Sequence, residues 1–319
     1  MTALVLVLAG IAVAGAALGG GGRIQAVAPG AGESGARPAG AAAASGQPVN
    51  GPLETPPGGG LVNLRTEAAD DRVDYDSRKP PKAGLLIDLD TGEVLWRRRA
   101  DEVRPIASLT KMMTAMVAAQ RLEPDDDAKI TDEVLAYSGS GVGLLPRAKR
   151  VSVKGLMYGL MLPSGNDAAR ALAIRATGSQ RRFVAAMNAQ ARAWGLSCTT
   201  FASVEGLSER NRSCAADLAA LGRRLLAEPR LAKIVGSRRA KVPFPIKGGR
   251  LHLNNNNPLL RSGYRGAIGV KTGYTQEAGR CLVAAAQRGD ERLLVVLLDS
   301  YYPGRQAEQL LDRGFKALD

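Results

Sequence analysis

Histidine is almost missing from this chain: of 319 residues only His252 is one, and the three cysteines, Cys198, Cys214 and Cys281, include no Cys-x-x-Cys pair. Nothing in that spacing suits a zinc site, so neither a metal nor a cofactor is expected. Aromatic residues are scarce as well, at 4% of the chain, too few to build platforms on which nucleobases stack. The basic residues do not make up for that, because they are scattered as pairs and one triplet (Arg97 to Arg99, Arg181-Arg182, Arg223-Arg224, Arg238-Arg239) instead of gathering in one block. Nucleic acid is therefore not an expected partner, although the formal net charge is +13.

Charge of either sign is absent from residues 1–20, and no Lys or Arg precedes their apolar run. The length is close to the roughly 20 residues that span a bilayer. Residues 1–20 are read as a signal peptide or membrane anchor, with Ala-Val-Ala at 12–14 resembling a cleavage site. Either way the rest of the chain is expected outside the cytoplasm, and any membrane attachment is expected through this segment. From residue 21 to 82 the chain is rich in Ala, Gly and Pro, a composition that buries too little apolar surface to offset its ordering entropy and is expected to be a disordered linker. The whole basic excess lies beyond Lys82, where 36 basic residues face 23 acidic ones. Such a domain suits an anionic lipid or cell-wall polymer better than a nucleic acid.

Residues 83–319 fit one domain. Gly84 to Asp90, the turn at Thr91-Gly92 and Glu93 to Arg97 read as a β-hairpin. A mostly buried helix is expected from about Ala107 to Arg121, and helical periodicity recurs near 153–176, 179–194 and 214–227. Apolar runs at Ala267 to Val270, Arg280 to Ala286 and Arg292 to Leu298 read as strands, and Gln306 to Ala317 as a last helix. The order is α+β, an antiparallel sheet that joins the first hairpin to the late strands, flanked by helices and a helical lobe.

Three short motifs follow one another along this frame: Ser108-Leu109-Thr110-Lys111, Ser164-Gly165-Asn166 and Lys271-Thr272-Gly273. Residues three apart on a helix share a face, so Ser108 and Lys111 are neighbours by geometry. A serine hydroxyl needs a base, and a lysine amine supplies one when burial and a nearby cation such as Lys271 lower its pKa. Near a helix start, the Ser108 backbone N–H also points outward as an oxyanion donor. Ser164 can relay a proton and Asn166 can orient Lys111 through its donor and acceptor. A local alternative makes Ser164 a helix N-cap with Asp167 at the third helical position. Lys271 and Thr272 offer charge and hydroxyl to a carboxylate, and Gly273 lets a substrate backbone approach the strand.

Singly these motifs are weak; in order they form the signature set of active-site serine enzymes that recognise penicillin. The blocks Ala107 to Thr114, Leu162 to Ala169, Leu253 to Leu260 and Gly269 to Thr275 resemble those of the serine-type D-alanyl-D-alanine carboxypeptidases, the low-molecular-mass penicillin-binding proteins. The resemblance implies a β-lactamase-like transpeptidase fold and an acyl-enzyme route that removes the terminal D-alanine from peptidoglycan stem peptides ending in D-Ala-D-Ala, with β-lactams as inhibitors. It implies Ser108 as nucleophile, Lys111 as base, Ser164 and Asn166 as relay and orienter, and Lys271 and Thr272 as the carboxylate site. The backbone N–H of Tyr274 becomes the second oxyanion donor, and Arg305 a weaker auxiliary near the carboxylate. Two departures stand out: the stretch from Leu145 to Arg150 lacks the family's usual glycine, and Ile268 stands where an acidic residue is common.

Two other functions compete. A class A β-lactamase needs a Glu that activates the deacylating water, and the nearest candidate, Glu205-Gly206-Leu207-Ser208, does not fit its pattern. A non-catalytic penicillin- or peptidoglycan-binding module would have no need of an intact Ser108, Lys111 and Lys271. Finally, Cys198 and Cys214 flank a 15-residue connection and are expected to form a disulfide, leaving Cys281 reduced in an apolar strand.

Overall fold

The computed structural model describes residues 71–142 and 145–318. The expected leader at 1–20 and the linker as far as residue 70 lie outside the described residues.

The first hairpin is β1 (Ala83–Asp88) and β2 (Val94–Arg98), its turn held by the Asp88 carboxylate, which accepts the N–H groups of Asp90 and Thr91 at 2.7 and 2.8 Å. Then come β3 (Arg104–Pro105), a 3-10 turn over Ala107–Thr110, α1 (Lys111–Ala119), β4 (Asp127–Lys129), α2 (Asp132–Leu135) and β5 (Arg150–Ser152). The helical lobe continues with α3 (Val153–Met161), α4 (Asn166–Thr177), α5 (Gln180–Ala193), β6 (Arg212–Ser213), α6 (Ala215–Ala227) and α7 (Pro229–Val235). A small hairpin, β7 (Arg239–Pro243) and β8 (Arg250–Asn254), precedes α8 (Pro258–Ser262), after which β9 (Ala267–Thr275), β10 (Gly279–Arg288), β11 (Glu291–Leu298) and α9 (Pro303–Leu318) close the fold.

Among the described residues, five strands form one antiparallel sheet in the order β2-β1-β11-β10-β9. Alternation along the strands sorts their side chains into two layers. Leu85, Ile87, Val283, Ala285, Leu294 and Val296 face the helical lobe, whereas Leu86, Leu282, Ala284, Leu293 and Val295 pack with Leu310, Leu311 and Phe315 of α9. Both faces of the central strands are thus covered, and Leu293 to Leu298 is buried throughout, reading as a continuous apolar run. β9 is left at the edge, where its outward face borders a cleft.

One feature departs from expectation. Residues 71–82, read as the end of the linker, pack on the domain: Asp71 accepts from Arg97 Nε at 2.7 Å, Val73 is buried, Tyr75 meets the Trp96 ring edge-on, and Gln306 donates to Lys79 O at 2.7 Å. A polar composition conceals this because single anchors, not a periodic face, hold the segment down. The helical stretch near 153–176 is interrupted between α3 and α4, at the loop that the sequence leads one to expect after Pro163. Pro163 has no N–H with which to continue the helical hydrogen-bond ladder, and Ser164 adopts a φ of +69°. That break puts Ser164 at the rim of the lobe.

Candidate active site

The nucleophile segment begins where β3 pairs with β6, Arg104 opposite Ser213, and Ile106 N donates to Asn211 O at 3.2 Å. Ser108 therefore sits in the 3-10 turn just ahead of α1, not inside the α-helix. Lys111, three residues on, is fully buried and uses all three of its protons: Nζ donates to Ser108 Oγ at 2.9 Å, Asn166 Oδ1 at 2.7 Å and Glu205 O at 2.6 Å. The Asn166 amide is oriented by its other end, Nδ2 donating to Ser138 O at 2.7 Å. This arrangement has a chemical consequence. Asn166 Oδ1 and Glu205 O can only accept, so a neutral Lys111 gives them its two remaining N–H groups and turns its lone pair toward the Ser108 hydroxyl.

A second serine–lysine pair faces the first. Lys271, buried on β9, donates to Ser164 Oγ at 2.9 Å and to Thr272 O at 2.7 Å. Ser164 is not the N-cap of α4; that position is Gly165, without a side-chain capping bond. The Asp167 carboxylate instead accepts from Val142 N at 2.8 Å and Ala168 N at 2.8 Å. Burial pushes the Lys111 ammonium down to about 7 against the opposing pull of Glu205 and Asp167. Lys271 is pushed down by burial and then by repulsion from Lys111.

Close packing holds the two walls together. Ala107 and Ser164 both have positive φ, 47° and 69°, a region that costs L-residues about 1–2 kcal/mol and that recurs at functional sites. Gly206 packs so tightly under the turn that a Cβ there would lie 2.1 Å from Ala107 O, and a Cβ on Gly273 would lie 3.1 Å from Ser108 N. The loop that carries Gly206 is bounded by Cys198 and Cys214, joined as a disulfide with Cα atoms 5.6 Å apart. The same loop braces α1 through Thr114 Oγ1 on Val204 O (2.6 Å) and Asn211 Nδ2 on Thr110 Oγ1 (2.9 Å). Asp217 lies within 4.8 Å of both sulfurs, but the disulfide removes the thiolates a metal would need. Cys281 is free and buried, its thiol pushed up to about 12 by burial, which leaves it unreactive.

Between the walls lies a cleft of about 370 Å³. Ser108 and Ser164 line it from the lobe, Thr272, Gly273 and Tyr274 from the sheet edge, and Asn256 between them. Asn256 is tied to the lobe by its N–H on Leu162 O at 3.0 Å and its Nδ2 on Pro163 O at 3.1 Å. Lys111, Asn166 and Lys271 stand behind this lining. Arg305 does not line the cleft: it is exposed in the first turn of α9, whose buried stripe runs through Gln306, Ala307, Leu310 and Leu311. The arginine that does line it is Arg280, paired with Tyr274 across β10 and β9 with its guanidinium 6.0 Å from the Tyr274 ring. Sequence reasoning missed Glu205, Asn211, Ser140, Asn256 and Arg280 as parts of the site. The run from Glu205 to Ser208 was visible only as a failed match to another motif, since a main-chain carbonyl leaves no signature in side-chain identity.

The comparisons agree with one another. The model of the Peptidase_S11 family, described as D-alanyl-D-alanine carboxypeptidase, matches residues 74–301. The D-alanyl-D-alanine carboxypeptidase DacF of Bacillus subtilis is 33% identical over 243 residues, covering 73% of this chain and 62% of the relative. A crystal structure of a D-alanyl-D-alanine carboxypeptidase from Mycobacterium tuberculosis superposes with a TM-score of 0.72 at 32% identity, over 78% of this chain and 95% of that one. A mutant of the Streptomyces K15 DD-transpeptidase does so with a TM-score of 0.69 at 33% identity, over 76% and 100%. The chain spans about three fifths of the length of the first curated relatives it matches.

Proposed function

The chain belongs to the D-alanyl-D-alanine carboxypeptidase family, and on that premise we propose that it is a serine D,D-carboxypeptidase that removes the terminal D-alanine from peptidoglycan stem peptides. The observation that carries the reading is the buried Lys111 amine, pushed down to about 7 and 2.9 Å from Ser108 Oγ. Neutral Lys111 takes the Ser108 proton as Oγ attacks the carbonyl carbon of the penultimate D-alanine. The backbone N–H groups of Ser108 and Tyr274 receive the oxyanion. Lys111 then passes its proton through the Ser164 hydroxyl to the departing amine, the C–N bond breaks, and D-alanine leaves. Water, deprotonated by Lys111, attacks the acyl-enzyme and restores Ser108.

At the other end of the substrate, the Thr272 hydroxyl meets the terminal carboxylate, with the Lys271 charge behind it. Arg280 adds cationic charge at the mouth, with Arg305 outside it as a weaker auxiliary. A β-lactam carries a carboxylate and a reactive carbonyl in the same relation and is expected to leave a long-lived acyl group on Ser108. β-Lactamase turnover is disfavoured, because the buried Glu205 carboxylate does not line the cleft and is engaged by Arg170 at 3.1 Å. An extracytoplasmic site of action follows from the substrate. Among the described residues no helix is long and apolar enough to cross a membrane.

The test is mass spectrometry of a D-Ala-D-Ala pentapeptide digest, with and without an acceptor amine. Release of D-alanine with a hydrolysed tetrapeptide supports the reading, whereas a product joined to the amine assigns transpeptidation. Ser108→Ala should abolish both turnover and the penicillin adduct. An adduct mapped to Ser164, or undiminished turnover, would overturn it.

A further inference from the structure

Lys111 is enclosed by charges from three directions: Glu205 from the disulfide-bounded loop, Asp167 from α4 and Lys271 from β9. Behind them stand Arg170 and Tyr137, the phenol held neutral by burial and by Asp167. The two carboxylates are not equally compensated. Asp167 accepts bonds from the Val142 and Ala168 N–H groups. Glu205, only 4% exposed, has one oxygen on Arg170 Nη2 at 3.1 Å while its Oε2 has no hydrogen-bond partner. Its own main-chain oxygen holds Lys111 Nζ, so the carboxylate cannot drift far from the amine. Arg170 is fixed in turn: it lies one helical turn beyond Asn166 on α4 and also donates to Ala136 O.

We propose that the buried Glu205–Arg170 pair regulates the charge of Lys111, Glu205 favouring the ammonium and Arg170 limiting that hold, so that together they set the lowest pH at which Ser108 can be acylated. The inference rests on the reading of Ser108 as nucleophile and Lys111 as base. Neither Glu205 nor Arg170 lines the cleft; both are positioning residues that act through Lys111. The physics fixes the signs. An anion beside an ammonium stabilises its charged form, and at buried groups such as these that effect is poorly screened. A cation on the far side of the anion opposes it. Removing Glu205 therefore frees the amine at lower pH, and removing Arg170 demands a higher one.

The experiment follows the second-order rate of Ser108 acylation by a fluorescent penicillin from pH 5 to 9, using the full chain. Wild type is expected to lose rate on the acid side with a midpoint of about 7. Glu205→Gln, which keeps the shape, should move that midpoint down by roughly one unit, about tenfold in relative rate on the acid side. Arg170→Gln should move it up, and the double variant should fall between the two single variants. Thermal melting of each protein checks the fold, and if Glu205→Gln fails to fold, the upward shift in Arg170→Gln still decides the matter. Lower rates with unmoved midpoints would reduce the pair to a structural brace and overturn the proposal. Absence of any adduct on wild-type Ser108 would overturn both this inference and the reading on which it rests.

Discussion

The two buried lysines of the cleft have the same side chain and opposite surroundings. Lys111, on the helical wall, is held by three acceptors and faced by two carboxylates. Lys271, on the sheet wall, bonds one hydroxyl and the next residue's carbonyl, and among the described residues no carboxylate pairs with it. The first lysine has an environment for either protonation state, which is what a base requires. Among the described residues the second lacks a counter-ion, and in the proposed reaction a substrate carboxylate supplies one. The same sheet wall is built from an edge strand, where an extended peptide can lie alongside the backbone.

Arginine breaks that comparison most sharply, because guanidinium keeps the charge and cannot act as a base. Lys111→Arg should lower acylation by roughly 10³-fold or more, a loss on the scale of a missing general base. Lys271→Arg, which preserves the cation, should retain activity within roughly a hundredfold of wild type. Both are measured as the penicillin acylation rate on folded protein. Equal losses in the two variants would mean that the walls do not divide the work in this way.

The disulfide tests the helical wall by itself. Replacing Cys198 and Cys214 together with serine opens a loop of about 15 residues and should destabilise the protein by roughly 3 kcal/mol, read from denaturant unfolding. The loop carries Glu205, Gly206 and Asn211 against the nucleophile turn, so acylation should also slow at temperatures where the variant is still folded. Turnover unchanged in the folded variant would show that α1 and α4 hold Lys111 without the loop.

Much of this contrast was legible before any coordinates. Ser108, Lys111, Ser164, Asn166 and Thr272 were legible as candidates because their side-chain types stand in three ordered motifs, which the fold brings to one cleft, and the sheet was readable because Leu293 to Leu298 and Cys281 to Ala286 are unbroken apolar runs. What stayed hidden works through the backbone or through single long-range contacts. The Glu205 carbonyl, the positive φ of Ala107 and the asparagine that ties α1 to the disulfide-bounded loop depend on how the chain folds back. The pairing of Glu205 with Arg170, 35 residues apart in sequence, has no local pattern at all.

On the sheet wall, Thr272→Ala removes a hydroxyl but leaves the Lys271 charge. Loss of one charge-assisted hydrogen bond of about 1.5 kcal/mol corresponds to roughly tenfold, and it should appear as weaker preference for a peptide with a free C-terminal carboxylate over its amide. Wild-type preference in the variant would mean that the carboxylate is read elsewhere in the cleft.

The smallest effects belong to the mouth, where the cations are exposed. Arg280 lines the cleft from β10 and Arg305 stands outside it on α9; water and salt screen both, and exposed charges at such positions contribute about 1 kcal/mol or less. Arg280→Ala and Arg305→Ala should therefore each raise KM for the carboxylate peptide a few-fold, leave kcat unchanged, and lose even that effect as ionic strength rises. Arg280, nearer Thr272, should show the larger change. A tenfold or greater fall in kcat for Arg305→Ala, persisting in high salt, would place its guanidinium on the substrate in the transition state. The α9 terminus would then have to close over the cleft during the reaction, and the sheet edge would share the carboxylate with it.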